Sequence, residues 1–98
     1  MMWILETTDL TSERVTFRIP AGSVKTIGRA TGAEFILDRA LVSRLHCQLT
    51  AADDSVQVKD LGSTNGTFVN GQRVQTSDLH EGDTLGLGRV ELLVSRSD

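Results

Sequence analysis

The chain has 98 residues, a single cysteine, a single proline, no tyrosine and a formal net charge of −3. That length makes one domain, residues 1–98, around one modest core, and 23% charged against 39% hydrophobic residues is globular composition rather than disorder. Cys47 alone forms no internal disulfide, no apolar run approaches the ~20 residues of a membrane-crossing helix, the start lacks a basic leader, and the acidic balance argues against a nucleic-acid binder.

Period-two alternation of apolar and polar residues predicts short strands. Residues 3–5 make the first. Residues 15–19 follow, with Thr16 and Arg18 opposite the apolar face. A third strand closes at Gly28-Arg29. Residues 29–44 show no clean strand pattern and form the longest connection. Residues 46–51 alternate next, with Cys47, Leu49 and Ala51 on one face and His46, Gln48 and Thr50 on the other. Residues 55–59 alternate likewise. A loop rich in hydroxyls, amide and glycine spans 60–66. Residues 67–69 and 72–74 flank Asn70-Gly71, a hairpin turn signal. Residues 77–81 are the only candidate helix, a very short one. Residues 84–88 and 90–94 complete the set, with Leu93 out of phase and placed to cover an edge or meet a partner. Many short strands between turn signals predict an all-β sandwich or barrel.

Function then belongs to the loops. Residues 25–46 carry Lys25, Arg29, Arg39 and Arg44 against only Glu34 and Asp38, whereas residues 47–98 are strongly acidic. An arginine-rich segment in an acidic chain points to a local anion site. Enzyme chemistry fits poorly. Ser43 and His46 resemble a nucleophile and base, but no Gly-x-Ser-x-Gly elbow is present. His46, His80 and Cys47 are too few and scattered for zinc. There is no phosphate-binding P-loop and no complete dinucleotide fingerprint. No catalytic residue, metal or cofactor is expected.

Three short motifs combine into one pattern: Gly28-Arg29, then Ser43-Arg44-Leu45-His46, then Asp60 through Gly71, reading DLGSTNGTFVNG. Together they resemble the signature of the forkhead-associated (FHA) domain family. Residues 34–38 resemble that family's acidic-Ile-x-Leu-x-Asp stretch, with Glu34 for Asp and Phe35 for Ile. The resemblance implies a sandwich of about eleven short strands with binding loops at one end. It also implies a phosphothreonine-containing protein or peptide as partner, either a Ser/Thr kinase or a kinase substrate. No nucleic acid and no membrane insertion are implied, and the expected location is cytoplasmic, or nuclear in a eukaryote.

The residue types suit that role. A phosphothreonine brings about −1.5 to −2 charges and three acceptor oxygens. Arg29 offers a forked, charge-assisted pair of donors, and Ser43 and Thr64 offer short hydroxyls. Arg44 stands where the family places a donor near the phosphate. Asn65, by resemblance, bonds the peptide main chain. Gly28, His46, Gly66 and Asn70 are expected to support the site. Gly28 admits close approach of strand and loop, and Asn70-Gly71 turns the hairpin. His46 alternates to the outer face, where by resemblance it braces two loops. Asp38 either anchors the 29–44 loop or is a solvated carboxylate. The threonine preference rests on the resemblance alone. The rivals are a phosphate-independent module using a sheet face near Leu93, a small hydrolase using Ser43 and His46, and, weakest, a nucleic-acid binder.

Overall fold

The computed structural model describes residues 1–9 and 13–97, which contain strands and turns but no helix. The strands are β1 Met2–Thr7, β2 Thr16–Pro20, β3 Val24–Gly28, β4 Phe35–Ile36, β5 Cys47–Ala51, β6 Val56–Asp60, β7 Thr67–Val69, β8 Gln72–Val74, β9 Thr76–Leu79, β10 Thr84–Leu87 and β11 Val90–Ser97. They form two facing sheets, one ordered β2-β1-β11-β10-β7-β8 and the other β4-β3-β5-β6-β9. The β3–β4 pair is parallel, and its neighbour β3–β5 is antiparallel.

Alternation places one face of each strand inward. Trp3, Leu5, Ile19, Leu85 and Leu92 from the first sheet meet Ile27, Leu49, Val56, Val58 and Leu79 from the second, all 0% exposed. Each such side chain contributes about 1.5–3 kcal/mol by leaving water. The Phe17 and Phe35 rings stack at 4.7 Å and tie edge strand β2 to edge strand β4. Cys47 is buried, and desolvation, reinforced by the charge of Asp60, pushes its thiol well above the ordinary range. It packs as a small hydrophobe.

Most of the expected strands appear, and residues 77–81 correct the reading. The span read as a short helix contributes to β9, which pairs antiparallel with β6 through Val56↔Leu79 and Val58↔Ser77. Leu79 fills the core while Asp78 faces solvent, a two-residue period that a helix lacks.

The two outer faces differ. That of the five-stranded sheet presents Thr26, Gln48, Thr50, Gln57 and Lys59, with exposed Val24 and Ile36 toward its β3–β4 side. That of the six-stranded sheet presents Ile4, Phe68 and Leu93, with Leu93 45% exposed.

Candidate functional site

Three connections meet at one end of the sandwich: residues 29–46, residues 61–66 and the β10–β11 turn. The first is clamped to the end of β3. Arg29 N–H donates to the Ser43 carbonyl at 2.9 Å, Ala30 N–H to the Arg44 carbonyl at 3.1 Å, and Leu37 N–H to the Gly28 carbonyl at 2.8 Å. Gly28 makes this approach possible. A Cβ there would stand 2.0 Å from the Arg44 carbonyl oxygen, so any other residue pushes the strand and loop apart.

An open groove of about 520 Å³ lies between the loops, and Arg29, Asp38, Arg39, Leu41, Ser43, Thr64 and Asn65 are among its lining residues. Arg29 Nε donates to the Val42 carbonyl at 3.0 Å. That bond fixes the guanidinium plane and leaves its two terminal nitrogens for an anion. Ser43 Oγ accepts from Thr64 N–H at 3.1 Å, which keeps its own proton available for donation. Asn65 Nδ2 donates to the Leu41 carbonyl at 3.0 Å and ties the second loop to the first. Leu41 sits at φ 71°, a backbone state rare for a bulky residue. It presents an exposed side chain at the groove wall.

Two buried polar groups organise these loops from beneath. His46 is 0% exposed rather than outward-facing. It precedes β5, so strand alternation does not govern it, and the loops close over its ring. Nδ1 accepts from Ser43 N–H at 3.0 Å, and Nε2 donates to the Gly66 carbonyl at 2.8 Å. This pairing requires the neutral Nε2–H tautomer. Both ring nitrogens are engaged by backbone, so His46 has none left to take a proton from Ser43 Oγ. The Asp60 carboxylate, also buried, accepts from Gly62 N–H and Ser63 N–H, each at 3.0 Å, from Ser63 Oγ, and from Thr67 Oγ1 at 2.7 Å. Burial opposes its charge, but the hydroxyl and backbone donors outweigh burial and hold its carboxyl below the usual range. Ser63 Oγ in turn accepts from Gly66 N–H at 3.0 Å and closes the turn that carries Thr64 and Asn65.

The groove thus unites four of the five expected binding residues: Arg29, Ser43, Thr64 and Asn65. The Arg44 side chain is exposed and lies outside the groove wall, while its carbonyl clamps the loop. Asn70 lies at the far end of β7. There it turns the hairpin at φ 52° and bonds Asp83 and Thr84. Asp38 is exposed along the groove. Sequence reasoning assigned no role to Arg39, Leu41 or Asp60. Arg39 bonds the Glu13 carbonyl and faces Asp9 at 4.0 Å, which secures the loop from outside. Asp60 was legible in principle, because Asp followed by Gly and Ser at the second and third positions is an Asx-turn signal. Among the described residues no group of three or more His, Cys, Asp or Glu side chains could hold a metal ion. Among the described residues no helix is long and apolar enough to cross a membrane.

Residues 25–88 match the family model of the FHA domain. A region of the ABC transporter ATP-binding/permease protein Rv1747 of Mycobacterium tuberculosis is 39% identical over 80 residues, covering 82% of this chain and 9% of that protein. A structure from a structural and functional analysis of phosphothreonine-dependent FHA domain interactions superposes with TM-score 0.86 at 33% identity, covering 100% of this chain and 99% of that one. The FHA domain of FhaA from the same mycobacterium, complexed with the intracellular domain of Rv3910, superposes with TM-score 0.81 at 35% identity, covering 94% of this chain and 98% of that one. The chain spans only 9% of Rv1747 and 15% of full-length FhaA.

Proposed function

The chain belongs to the FHA domain family, and we propose that it is a non-catalytic reader of phosphothreonine in proteins phosphorylated by Ser/Thr kinases. The observation that carries this reading is the convergence of Arg29, Ser43, Thr64 and Asn65 on one groove. The terminal nitrogens of Arg29 form the charge-assisted contact to the phosphate. The Ser43 and Thr64 hydroxyls donate to its remaining oxygens without adding charge. Asn65, its Nδ2 already bonded to Leu41, turns its Oδ1 to a peptide main-chain N–H. Arg44 strengthens the local positive potential from outside the groove wall. His46, Asp60 and Gly28 position these groups and touch no ligand.

The resemblance to a structure described through phosphothreonine-dependent interactions supports the ligand class. The FhaA complex with an intracellular protein domain supports a protein partner inside the cell. Charge-assisted hydrogen bonds worth about 1.5–3 kcal/mol each, offset by the freedom a flexible peptide loses, place the affinity in the micromolar range, about −8 kcal/mol. Calorimetric titration with matched peptides tests the reading. A phosphothreonine peptide binds, its unphosphorylated twin does not, and the phosphoserine form binds several-fold more weakly, because a buried methyl is worth about 0.8 kcal/mol. Equal affinity for the phosphorylated and unphosphorylated peptides overturns it.

A further inference from the structure

The β10–β11 turn, Gly88-Arg89, is the third connection at the groove end, and it touches both of the others. Gly88 N–H donates to the Gly66 carbonyl at 3.3 Å, beside the bond that His46 Nε2 makes there. Gly88 also lies against the Leu41 main chain. A Cβ on Gly88 would stand 2.6 Å from the Leu41 carbonyl oxygen, 2.9 Å from its carbonyl carbon and 3.0 Å from its Cβ. Gly88 turns at φ 63°, a state that glycine takes freely. Leu41 does not share that freedom. Its φ of 71° is costly for a bulky side chain and persists only where the surroundings impose it. The Leu41 side chain is exposed, so burial in the core does not impose it. The main-chain contacts do: Gly88 sits against the Leu41 peptide group, and Asn65 Nδ2 bonds the Leu41 carbonyl at 3.0 Å.

Within the phosphopeptide reading on which this rests, we propose that Gly88 and Leu41 are a positioning pair for Asn65. The missing side chain of Gly88 lets the β10–β11 turn seat against Leu41 and hold its carbonyl toward Asn65. That carbonyl takes one Nδ2 hydrogen and fixes the plane of the Asn65 amide. The fixed plane aims Oδ1 at the peptide main chain before the peptide arrives, which lowers the cost of binding. Gly88 acts through two other residues and touches no ligand. The pair therefore sets the grip on the peptide main chain, while Arg29, Ser43 and Thr64 set the grip on the phosphate.

Calorimetric titration with a phosphothreonine peptide and its unphosphorylated twin tests this, together with NMR of the Asn65 side-chain amide in the free protein. Gly88→Ala weakens phosphopeptide binding about tenfold, the worth of one lost peptide hydrogen bond, and moves the Asn65 amide signals toward those of a solvated amide. Gly82→Ala is the control for backbone strain, since Gly82 turns at φ 94° with no other group within 4 Å of its Cβ position. It lowers the denaturation midpoint and leaves the dissociation constant and the Asn65 signals unchanged. In an Asn65→Ala background Gly88→Ala adds little further loss, because both changes remove the same contact. The exposed Leu41 gives a second route that does not depend on Gly88→Ala folding. Leu41→Val, whose branched side chain resists positive φ, weakens binding several-fold more than Leu41→Asn, which accepts it. Unchanged binding in Gly88→Ala, penalties that multiply with Asn65→Ala, or equal losses in the two Leu41 variants overturns the proposal. A wild-type chain that binds both peptides equally overturns the phosphopeptide reading instead, and the Asn65 signals of Gly88→Ala and Leu41→Val then decide whether the pair positions that amide.

Discussion

The two ends of the sandwich hold their turns by different means. At the groove end, side chains reach from one loop into another. His46 bonds Ser43 N–H and the Gly66 carbonyl, and Asn65 reaches Leu41 across the groove. At the opposite end Trp3 Nε1 and Arg96 hold the β5–β6 turn to the strands of the other sheet through the Ala52 and Asp53 carbonyls, and the remaining bonds join neighbouring turns. Asn70 and Asp83 bond each other, Asn70 accepts from Thr84 N–H and Asp83 from His80 N–H. The exposed end needs only to reverse the chain. The groove end must hold donors from separate loops in one arrangement before a ligand arrives, and preorganisation of that kind lowers the cost of binding. Substitutions at the groove end should therefore change binding, whereas those at the far end should change stability alone.

The largest effect is expected at Gly28. A valine there drives its side chain into the Arg44 carbonyl, so Gly28→Val should lower unfolding free energy by about 3 kcal/mol or more and abolish peptide binding. Chemical denaturation and calorimetry on the same sample check both. Arg29→Ala separates the two properties. It should weaken phosphopeptide binding by ten- to several-hundred-fold, the loss of about 1.5–3 kcal/mol, while the denaturation midpoint stays nearly fixed. A comparable fall in stability would place Arg29 in the architecture rather than at the ligand.

Next comes His46→Ala, which leaves Ser43 N–H without a partner and the Gly66 carbonyl with only its longer bond from Gly88 N–H. Each buried unpaired group costs about 1–3 kcal/mol, and the loosened loops should lose affinity as well. Asn70→Ala should cost about 1 kcal/mol of stability through lost turn bonds and leave the peptide dissociation constant unchanged. Acid gives the finest comparison. The Asp60 carboxyl is held below its ordinary value of 3.8, because burial, which opposes the charge, is outweighed by the Ser63, Thr67 and Gly62 donors. Its contribution is therefore present above that value and fades as pH falls through the lower folded-state value. Asp60→Asn should flatten the acid limb of the stability curve, read by thermal unfolding from neutral to acid pH.

Much of this was legible in residue order. Alternation located most strands and the inward faces of Leu49, Val56 and Val58, because a half-buried strand repeats every two residues. Asn70-Gly71 located the hairpin, because its turn needs residues that accept positive φ. The local motifs named four groove residues. What escaped depends on distant partners. β4 is two residues long and exists through parallel pairing with β3. β9 reads as a helix fragment until β6 lies beside it. His46 lies just outside its strand, where periodicity assigns no face, and its burial comes from loops that close over it. Arg39 reaches back to Asp9 and Glu13, a contact that no local pattern encodes.

Amide chemical-shift mapping during titration with a phosphothreonine peptide tests the central claim most directly. The largest shifts are expected on residues 28–30, 41–46 and 62–66, residues 70–72 and 80–84 should stay still, and Arg29→Ala should remove the response. Equal shifts with the unphosphorylated peptide, or a response centred away from the Arg29–Ser43–Thr64–Asn65 groove, would contradict it.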